Sequence, residues 1–174
     1  MSNFKKNIVL IGFMGTGKTS VGKILARELD RPLVDVDQAI EEKEKRKIAE
    51  IFEKSGEAYF RAVEKEAVRE AAVRESVVIT TGGGAVLDPE NLDALRRNGT
   101  LIALSAKPET IYERVKNSRH RPLLKGEDLL AQIQKLLEIR KPHYEKADLT
   151  LDTDGQTSAE VAARILKRLS QNEE

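Results

Sequence analysis

Residues 7–19 read NIVLIGFMGTGKT, a short apolar run that passes directly into a glycine-rich turn. The turn fits the pattern of a glycine, any four residues, then glycine, lysine and serine or threonine, which cradles phosphate groups. Its glycines let backbone N–H groups converge on a phosphate, and the N-terminus of a following helix adds partial positive charge. We therefore predict that residues 12–19, the phosphate-binding loop, bind a nucleoside triphosphate between a strand and a helix.

Two side chains at the end of this loop suit phosphate chemistry. Lys18 can reach the β- and γ-phosphates, and the Thr19 hydroxyl can bind Mg²⁺, which prefers oxygen ligands and usually keeps several waters. The alternative is a glycine-rich turn that merely packs the strand on the helix. The residues expected to bind the nucleotide here are Gly12, Met14, Gly15, Thr16, Gly17, Lys18, Thr19 and Ser20.

The rest of the chain alternates short β-branched runs with longer amphipathic stretches, the pattern of strand and helix units around a parallel sheet. Runs that are apolar throughout fit such a sheet because helices cover both of its faces. The sequence therefore predicts an α/β fold with five strands. Strands are expected at 7–11, 32–36, 76–80, 100–104 and 149–152, and helices at 19–29 and 158–169.

Two charged stretches lie between these elements. EEKEKRK, at 41–47, is predicted to form the solvated face of a helix rather than a binding site. KNSRHRPLLKGED, at 116–128, is interrupted by Pro122 and Gly126 and is predicted to be a mobile loop.

The composition indicates a single domain and excludes several classes of protein. The chain has 174 residues, of which 40% are hydrophobic, close to the roughly 150 residues of one domain. Since 30 Lys and Arg face 29 Asp and Glu, a nucleic-acid partner is not expected. Without cysteine, disulfides, thiolate metal sites and a cysteine nucleophile are excluded, and two histidines are too few for a histidine metal cage. No apolar run approaches the roughly 20 residues that cross a bilayer, and no secretion signal is visible, so we expect a cytoplasmic protein with no membrane partner.

No carboxylate lies between the end of the strand at 76–80 and Asp88. The carboxylates that would complete a magnesium site must therefore come from elsewhere in the chain. The end of the second predicted strand instead offers Asp35 and Asp37, in LVDVDQAIE. Alternation places both on one side of an extended segment, at the edge where open α/β sheets bind ligands. One can hold the metal while the other faces a hydroxyl. The alternative for Asp37 is a cap on a helix that begins at Gln38.

Three successive glycines, Gly82, Gly83 and Gly84, follow the strand at 76–80. They form either a flexible turn or a place where a ligand approaches the main chain and meets exposed N–H groups, and we favour the second interpretation. Guanidinium groups pair bidentately with carboxylate and phosphate, so converging arginines would suit an acidic acceptor and a transferring phosphoryl group. The candidates are Arg61, Arg121 and Arg140.

Taken together, these motifs resemble the shikimate kinases, a family of the P-loop, nucleoside-monophosphate-kinase-like group. The resemblance spans Ile8 to about Leu169 and rests on GFMGTGKT, LVDVDQAIE, IAEIFEKSGEAYFRAVE, the strand followed by GGG, RPLL and IRKPHYEKAD. It implies a three-layer domain whose five-stranded parallel sheet has the order 2-3-1-4-5. It also implies a core at about 7–170, a substrate-binding region at about 35–64 and a lid over the nucleotide at about 116–128. The implied reaction moves the γ-phosphoryl group of ATP to the 3-hydroxyl of shikimate, a step of aromatic amino-acid biosynthesis.

The resemblance also implies a role for each matching position. Asp35 corresponds to the carboxylate on the magnesium side, and Asp37 to the one that binds the shikimate hydroxyls. Arg61 and Arg140 match the pair that binds the carboxylate of shikimate. The remaining matches are the substrate-contacting glycines Gly82, Gly83 and Gly84, the pocket residues Phe52, Phe60 and Glu64, the catalytic lid arginine Arg121, and Arg114 stacked on adenine, with 152–156 near the adenine.

Two other functions remain open at this point. One is a kinase of another small hydroxy acid, such as gluconate, on the same fold. The other is a nucleotide-binding module without transferase activity. The expected partners are ATP and shikimate, with Mg²⁺ as cofactor, and a self-contained domain of balanced charge is expected to be a monomer.

Overall fold

The computed structural model describes residues 5–118 and 128–171. Its strands are β1 (Asn7–Gly12), β2 (Leu33–Asp35), β3 (Val78–Thr80), β4 (Gly99–Ser105) and β5 (Leu149–Asp152). Its helices are α1 (Lys18–Glu28), α2 (Val36–Glu44), α3 (Ile48–Ala72), α4 (Pro89–Arg97), α5 (Pro108–Val115), α6 (Leu129–Tyr144) and α7 (Ser158–Gln171), with a 3₁₀ turn at Ala85–Leu87. The strands are parallel and lie in the order β2-β3-β1-β4-β5, which confirms the predicted fold class.

The central strand β1 explains why its sequence is apolar throughout. Val9 and Ile11 pack on one side of the sheet with residues of α3 and α4, whereas Ile8 and Leu10 pack on the other side with residues of α1 and α7. All four side chains are fully buried, and each such burial stabilises the fold by about 1.5–3 kcal/mol. Two helical layers therefore enclose the sheet and fix the position of the loops at its carboxyl edge.

All five predicted strands are present, but β2 is shorter than expected because α2 begins immediately after it. Asp35 is the N-cap of α2, and its Oδ1 accepts a hydrogen bond of 3.1 Å from the backbone N–H of Gln38. Asp37 lies in the first turn of α2. The alternative interpretation of Asp37 as a helix cap is therefore wrong, and so is the alternation argument, since Asp37 belongs to a helix and not to an extended segment.

The charged run at 41–47 is only partly helical. Helix α2 ends at Glu44, and Lys45 has a left-handed backbone with φ of 55°. Arg46 then turns back and donates hydrogen bonds to Glu44 and to the Ser55 hydroxyl. These hydrogen bonds join the end of α2 to α3, and the segment also presents charge to solvent.

Helix α3 contains a break at Gly56, whose φ of 82° and ψ of 169° are not helical. The part before the break carries Phe52 toward the carboxyl edge of the sheet, and the part after it packs on the sheet through Val68. Because only glycine adopts this backbone conformation readily, Gly56 lets one segment serve both purposes. Across residues 5–118 and 128–171, no helix combines the length and apolarity that crossing a membrane requires.

Candidate active site

A cavity of about 650 Å³ opens at the carboxyl edge of the sheet. The phosphate-binding loop and the glycine run after β3 both line the cavity and lie side by side, since a Cβ on Gly83 would be 3.3 Å from the Met14 backbone nitrogen. Side chains of α2, α3 and α6 close its walls. The lining residues that the sequence singled out are Met14, Gly15, Gly17, Lys18, Thr19, Ser20, Asp35, Asp37, Phe52, Phe60, Arg61, Glu64, Gly82, Gly83, Gly84 and Arg140.

The phosphate-binding loop has the strand–loop–helix geometry that the sequence predicts. Gly12 has φ of 143°, and a Cβ there would lie 2.4 Å from the Leu104 carbonyl oxygen. Gly17, with φ of 92°, is the N-cap of α1. The Thr16 hydroxyl donates to the Phe13 carbonyl at 2.7 Å. These contacts shape the loop so that the N-terminus of α1, which attracts anions, faces the cavity.

Lys18 lies folded along the inside of this loop. Its Nζ donates to the carbonyl oxygens of Gly12, at 2.7 Å, and of Phe13, at 2.9 Å. The ammonium group is therefore already placed where the loop would receive phosphate groups.

Thr19 and Asp35 face each other at the start of α1 and the end of β2. The Thr19 hydroxyl lies 3.5 Å from Asp35 Oδ2, while the other carboxylate oxygen of Asp35 caps α2. Both are hard oxygen donors of the kind that Mg²⁺ prefers. Among the residues described, no group of three or more Asp, Glu, His or Cys side chains could hold a metal. A magnesium ion at this place would need phosphate oxygens and water to complete its shell.

The three glycines after β3 are explained by close approach of side chains rather than by unusual backbone angles. A Cβ on Gly82 would lie 2.8 Å from Asp37 Oδ1, and one on Gly83 would lie 3.0 Å from Arg140 Nη1. A Cβ on Gly84 would lie 2.4 Å from Arg61 Nη2. The glycine run therefore brings one carboxylate and two guanidinium groups to the same stretch of backbone.

Arg61 is held by a buried carboxylate. Its Nη1 pairs with Glu64 Oε1 at 2.7 Å, and the side chain of Arg61 is 26% exposed whereas that of Glu64 is 2% exposed. Burial raises the pKa of Glu64, and the charge and hydrogen bond of Arg61 oppose that rise. The guanidinium group also lies over the Phe60 ring, and Phe60 packs on Phe52 with ring centroids 4.6 Å apart. These two rings form an apolar wall beside the charged groups.

Arg140 has a different environment from Arg61. It is only 2% exposed, and its guanidinium carbon lies 5.3 Å from the centre of the Phe13 ring. In the part of the chain that the structure describes, it forms no ion pair with a carboxylate, and its Nε has no hydrogen-bond partner. A buried guanidinium group without an ion pair is costly, and Glu64 attracts it only at longer range, so an anionic ligand would suit this position.

Arg114 lies at the opposite side of the phosphate-binding loop from the arginine pair. It donates to the Gly15 carbonyl at 2.9 Å and to both the hydroxyl and the carbonyl of Thr153. It thereby joins the loop to the segment after β5, which was predicted to lie near the adenine. Arg121, the predicted lid arginine, lies outside the described residues, as does most of the predicted lid.

Two functional contacts were missed from the sequence. The Phe13 ring beneath Arg140 is hidden in the variable part of the phosphate-binding pattern, where any residue is allowed. Tyr144 donates to the Gly83 carbonyl at 2.6 Å. Its spacing of four residues from Arg140 on a helix was the available signal, because residues i and i+4 share a face.

A phosphate-binding loop and two arginine side chains that line one cavity, on a 2-3-1-4-5 parallel sheet, define the class of P-loop kinases that act on small molecules. The family model described as shikimate kinase matches residues 14–170. The shikimate kinase of Thermodesulfovibrio yellowstonii is 49% identical over 162 residues, which cover 93% of this chain and 94% of that protein. The one of Caldanaerobacter subterraneus is 48% identical over 162 residues, covering 93% and 95%. The chain belongs to the shikimate kinase family.

Solved structures agree with this assignment. A shikimate kinase from Acinetobacter baumannii in complex with shikimate superposes with a TM-score of 0.94 at 37% identity, covering 96% of this chain and 94% of that one. A gluconokinase from Sinorhizobium meliloti, at 21% identity and a TM-score of 0.64 over 98% and 94% of the two chains, shares the fold alone. The gluconate alternative therefore gains no support beyond the fold.

Proposed function

We propose that this kinase transfers the γ-phosphoryl group of ATP to the 3-hydroxyl of shikimate, giving shikimate 3-phosphate and ADP, a step of aromatic amino-acid biosynthesis. The observation that carries the proposal is Arg140, a buried guanidinium group with no carboxylate partner among the described residues, in the same cavity as the phosphate-binding loop. Such a group favours an acceptor that brings its own negative charge. Shikimate is a carboxylic acid with hydroxyl groups, and relatives that share most of this chain are shikimate kinases.

On the donor side, the phosphate-binding loop and α1 receive the phosphates. Lys18 exchanges its bonds to two loop carbonyls for the β- and γ-phosphate oxygens, which keeps the charge near the transferring group. Met14 and Ser20 line the nucleotide site, and the buried Thr16 supports the loop through its bond to the Phe13 carbonyl. Arg114 contacts the adenine, and Arg121 of the lid neutralises phosphate charge.

Mg²⁺ fits the donor side as a cofactor. The Thr19 hydroxyl and the Asp35 carboxylate would hold it, directly or through water, together with the nucleotide. When bound, the ion neutralises phosphate charge and fixes the geometry of the triphosphate. Asp35 is held in place by its bond to the N-terminus of α2, so this ligand is oriented before the nucleotide arrives.

On the acceptor side, Arg61 and Arg140 bind the carboxylate, and Asp37 orients the attacking hydroxyl. Phe52 and Phe60 pack against the ring of the acceptor, and backbone N–H groups of the glycine run complete the pocket. Phosphoryl transfer requires positioning and charge neutralisation more than covalent participation of the protein, which agrees with the absence of a nucleophile from these roles.

Release of ADP, measured with and without acceptor, tests the proposal. We expect shikimate to give turnover far above the rate with ATP alone, and gluconate to give none above that rate. Equal rates with shikimate, with gluconate and without acceptor would indicate a nucleotide-binding module and would refute the proposal. Detection of shikimate 3-phosphate by mass spectrometry identifies the product.

Two further properties are proposed with the function. We propose a monomeric, single-domain enzyme, because one cavity of this chain supplies both donor and acceptor residues. A cytoplasmic location is proposed because that compartment supplies ATP. Sedimentation at several protein concentrations tests the monomer.

A further inference from the structure

Tyr144 is the last residue of α6, and its hydroxyl bonds to the glycine run and also adjoins the guanidinium group of Arg140, which lines the cavity. The hydroxyl donates to the Gly83 carbonyl oxygen at 2.6 Å. The ring packs against the buried residues around Val9 and Ile11 and against those around Phe13. Burial raises the pKa of Tyr144 to about 12. The hydroxyl is thus protonated at physiological pH and acts as a permanent hydrogen-bond donor.

This bond fixes the plane of one peptide group. The Gly83 carbonyl and the Gly84 N–H belong to the same peptide, and they point in opposite directions because the peptide bond is trans. Gly83 and Gly84 line the cavity but Tyr144 does not. The carbonyl oxygen is therefore directed at Tyr144, and the Gly84 N–H points away from Tyr144.

The Gly84 N–H is available to a ligand. Within the described residues, the backbone bonds around the glycine run join Ala85 N–H to Gly82 and Leu87 N–H to Gly84, and none uses the Gly84 N–H as donor. The same glycine lies against the Arg61 guanidinium group. A donor N–H and a guanidinium group thus adjoin at one point of the acceptor pocket.

Glycine peptides rotate easily, because no Cβ restricts either side of the bond. Rotation of this peptide would bring a carbonyl oxygen into the pocket beside Arg61 and Arg140, where it would repel the oxygens of an anionic acceptor. The hydrogen bond from Tyr144 opposes that rotation.

We propose that Tyr144 is a positioning residue for the acceptor, which it serves by aiming the Gly84 N–H into the pocket. The inference rests on the proposed function, since it takes the pocket of Arg61 and Arg140 to be the acceptor site. Tyr144 itself does not touch the substrate.

The substitution Tyr144→Phe tests this role because it removes the hydroxyl and retains the ring. We expect the KM for shikimate to rise about 5- to 30-fold, the effect of losing one hydrogen bond to a buried group. The KM for ATP should stay within about twofold, because the phosphate-binding loop is not touched. A general loss of structure would instead lower the amount of active enzyme without separating the two KM values.

Tyr59→Phe is the matched control. Its hydroxyl donates to Glu44 at 2.9 Å, outside the cavity, so the same deletion should leave both KM values unchanged. An unchanged KM for shikimate in Tyr144→Phe, with normal wild-type turnover, overturns the inference but not the proposed function. Failure of the wild type to phosphorylate shikimate refutes the proposed function and the inference together.

A measurement on the unmodified enzyme covers the case in which Tyr144→Phe fails to fold. In ¹H–¹⁵N spectra, saturating shikimate should shift the Gly84 amide resonance strongly, and the Gly155 amide, remote from the acceptor pocket, should stay in place. A Gly84 resonance that does not move overturns the inference without any variant.

Discussion

Replacing Arg140 by methionine should stabilise the enzyme without ligand while destroying its acceptor site. Arg140 is 2% exposed and forms no ion pair with a carboxylate among the described residues, so the attraction of Glu64 at longer range offsets only part of a desolvation cost of several kcal/mol. The contact with the Phe13 ring returns about 1–2 kcal/mol of that cost. Methionine fills similar space without a charge, so we expect the free energy of unfolding to rise by about 1–3 kcal/mol. For a protein of this size, the Tm should rise by about 2 to 10 °C.

Arg61→Met is the control of opposite sign. The substitution removes the Arg61 guanidinium group, which opposes the rise in the pKa of the buried Glu64. We expect the free energy of unfolding to fall by about 2–4 kcal/mol at neutral pH. A carboxyl group whose pKa is raised by folding favours the folded state below its unfolded pKa, and this contribution is lost as pH rises through the folded pKa. The pKa of Glu64 rises further in the variant, so the stability deficit of Arg61→Met should grow as pH rises through the raised pKa of Glu64.

Thermal unfolding with and without shikimate measures these effects together. At a shikimate concentration of about 100 times Kd, the wild type should gain about 2.7 kcal/mol, and Arg140→Met should gain nothing. A lower Tm for ligand-free Arg140→Met than for the wild type would show that the guanidinium group stabilises the free enzyme. That result would refute our interpretation that the charge of Arg140 is destabilising until an anionic ligand binds.

Three further substitutions test the other parts of the site. Lys18→Ala should fold normally but lose about 3 kcal/mol or more of transition-state stabilisation, a fall in kcat of over about 100-fold, and near-normal turnover would contradict its role. Arg61→Lys should weaken the binding of shikimate by about 1.5–3 kcal/mol, seen as a higher KM, because an ammonium group lacks the two-pronged geometry of a guanidinium group. An acceptor analogue without the carboxylate should suffer less from Arg61→Lys, and equal loss for both acceptors would show that Arg61 does not bind that group. Asp35→Asn should keep the Tm within about 2 °C, since asparagine also caps helices, yet raise the Mg²⁺ concentration needed for half-maximal rate. An unchanged Mg²⁺ requirement would remove Asp35 from the metal site.

The fold could be predicted because its signals are local. The apolar run of β1 and the glycine pattern after it lie within 13 residues, and β-branched residues within each strand indicate its position. The start of α2 could not be read in the same way. Asp35 and Asp37 are equally good caps by residue type, and only the early end of β2 decides that Asp35 takes the role.

The sequence predicted most of the residues that line the candidate site, but it did not predict the contacts that bring them together. The glycine run was expected to admit a ligand. The structure shows that it also leaves room for the side chains of Asp37, Arg140 and Arg61, which lie against these glycines. Such contacts join residues far apart in the sequence, so no local pattern carries them. The lack of an ion pair at Arg140 among the described residues is likewise a property of the packed chain and leaves no mark on the sequence around it.

The close approach at the glycine run also constrains how this enzyme can evolve. Each glycine is matched to one charged side chain: Gly82 to Asp37, Gly83 to Arg140 and Gly84 to Arg61. A larger residue at Gly84 would displace the Arg61 guanidinium group from its present place, and a lineage without Arg61 no longer needs that glycine. The pairs should therefore be lost together when descendants of this fold turn to acceptors without a negative charge.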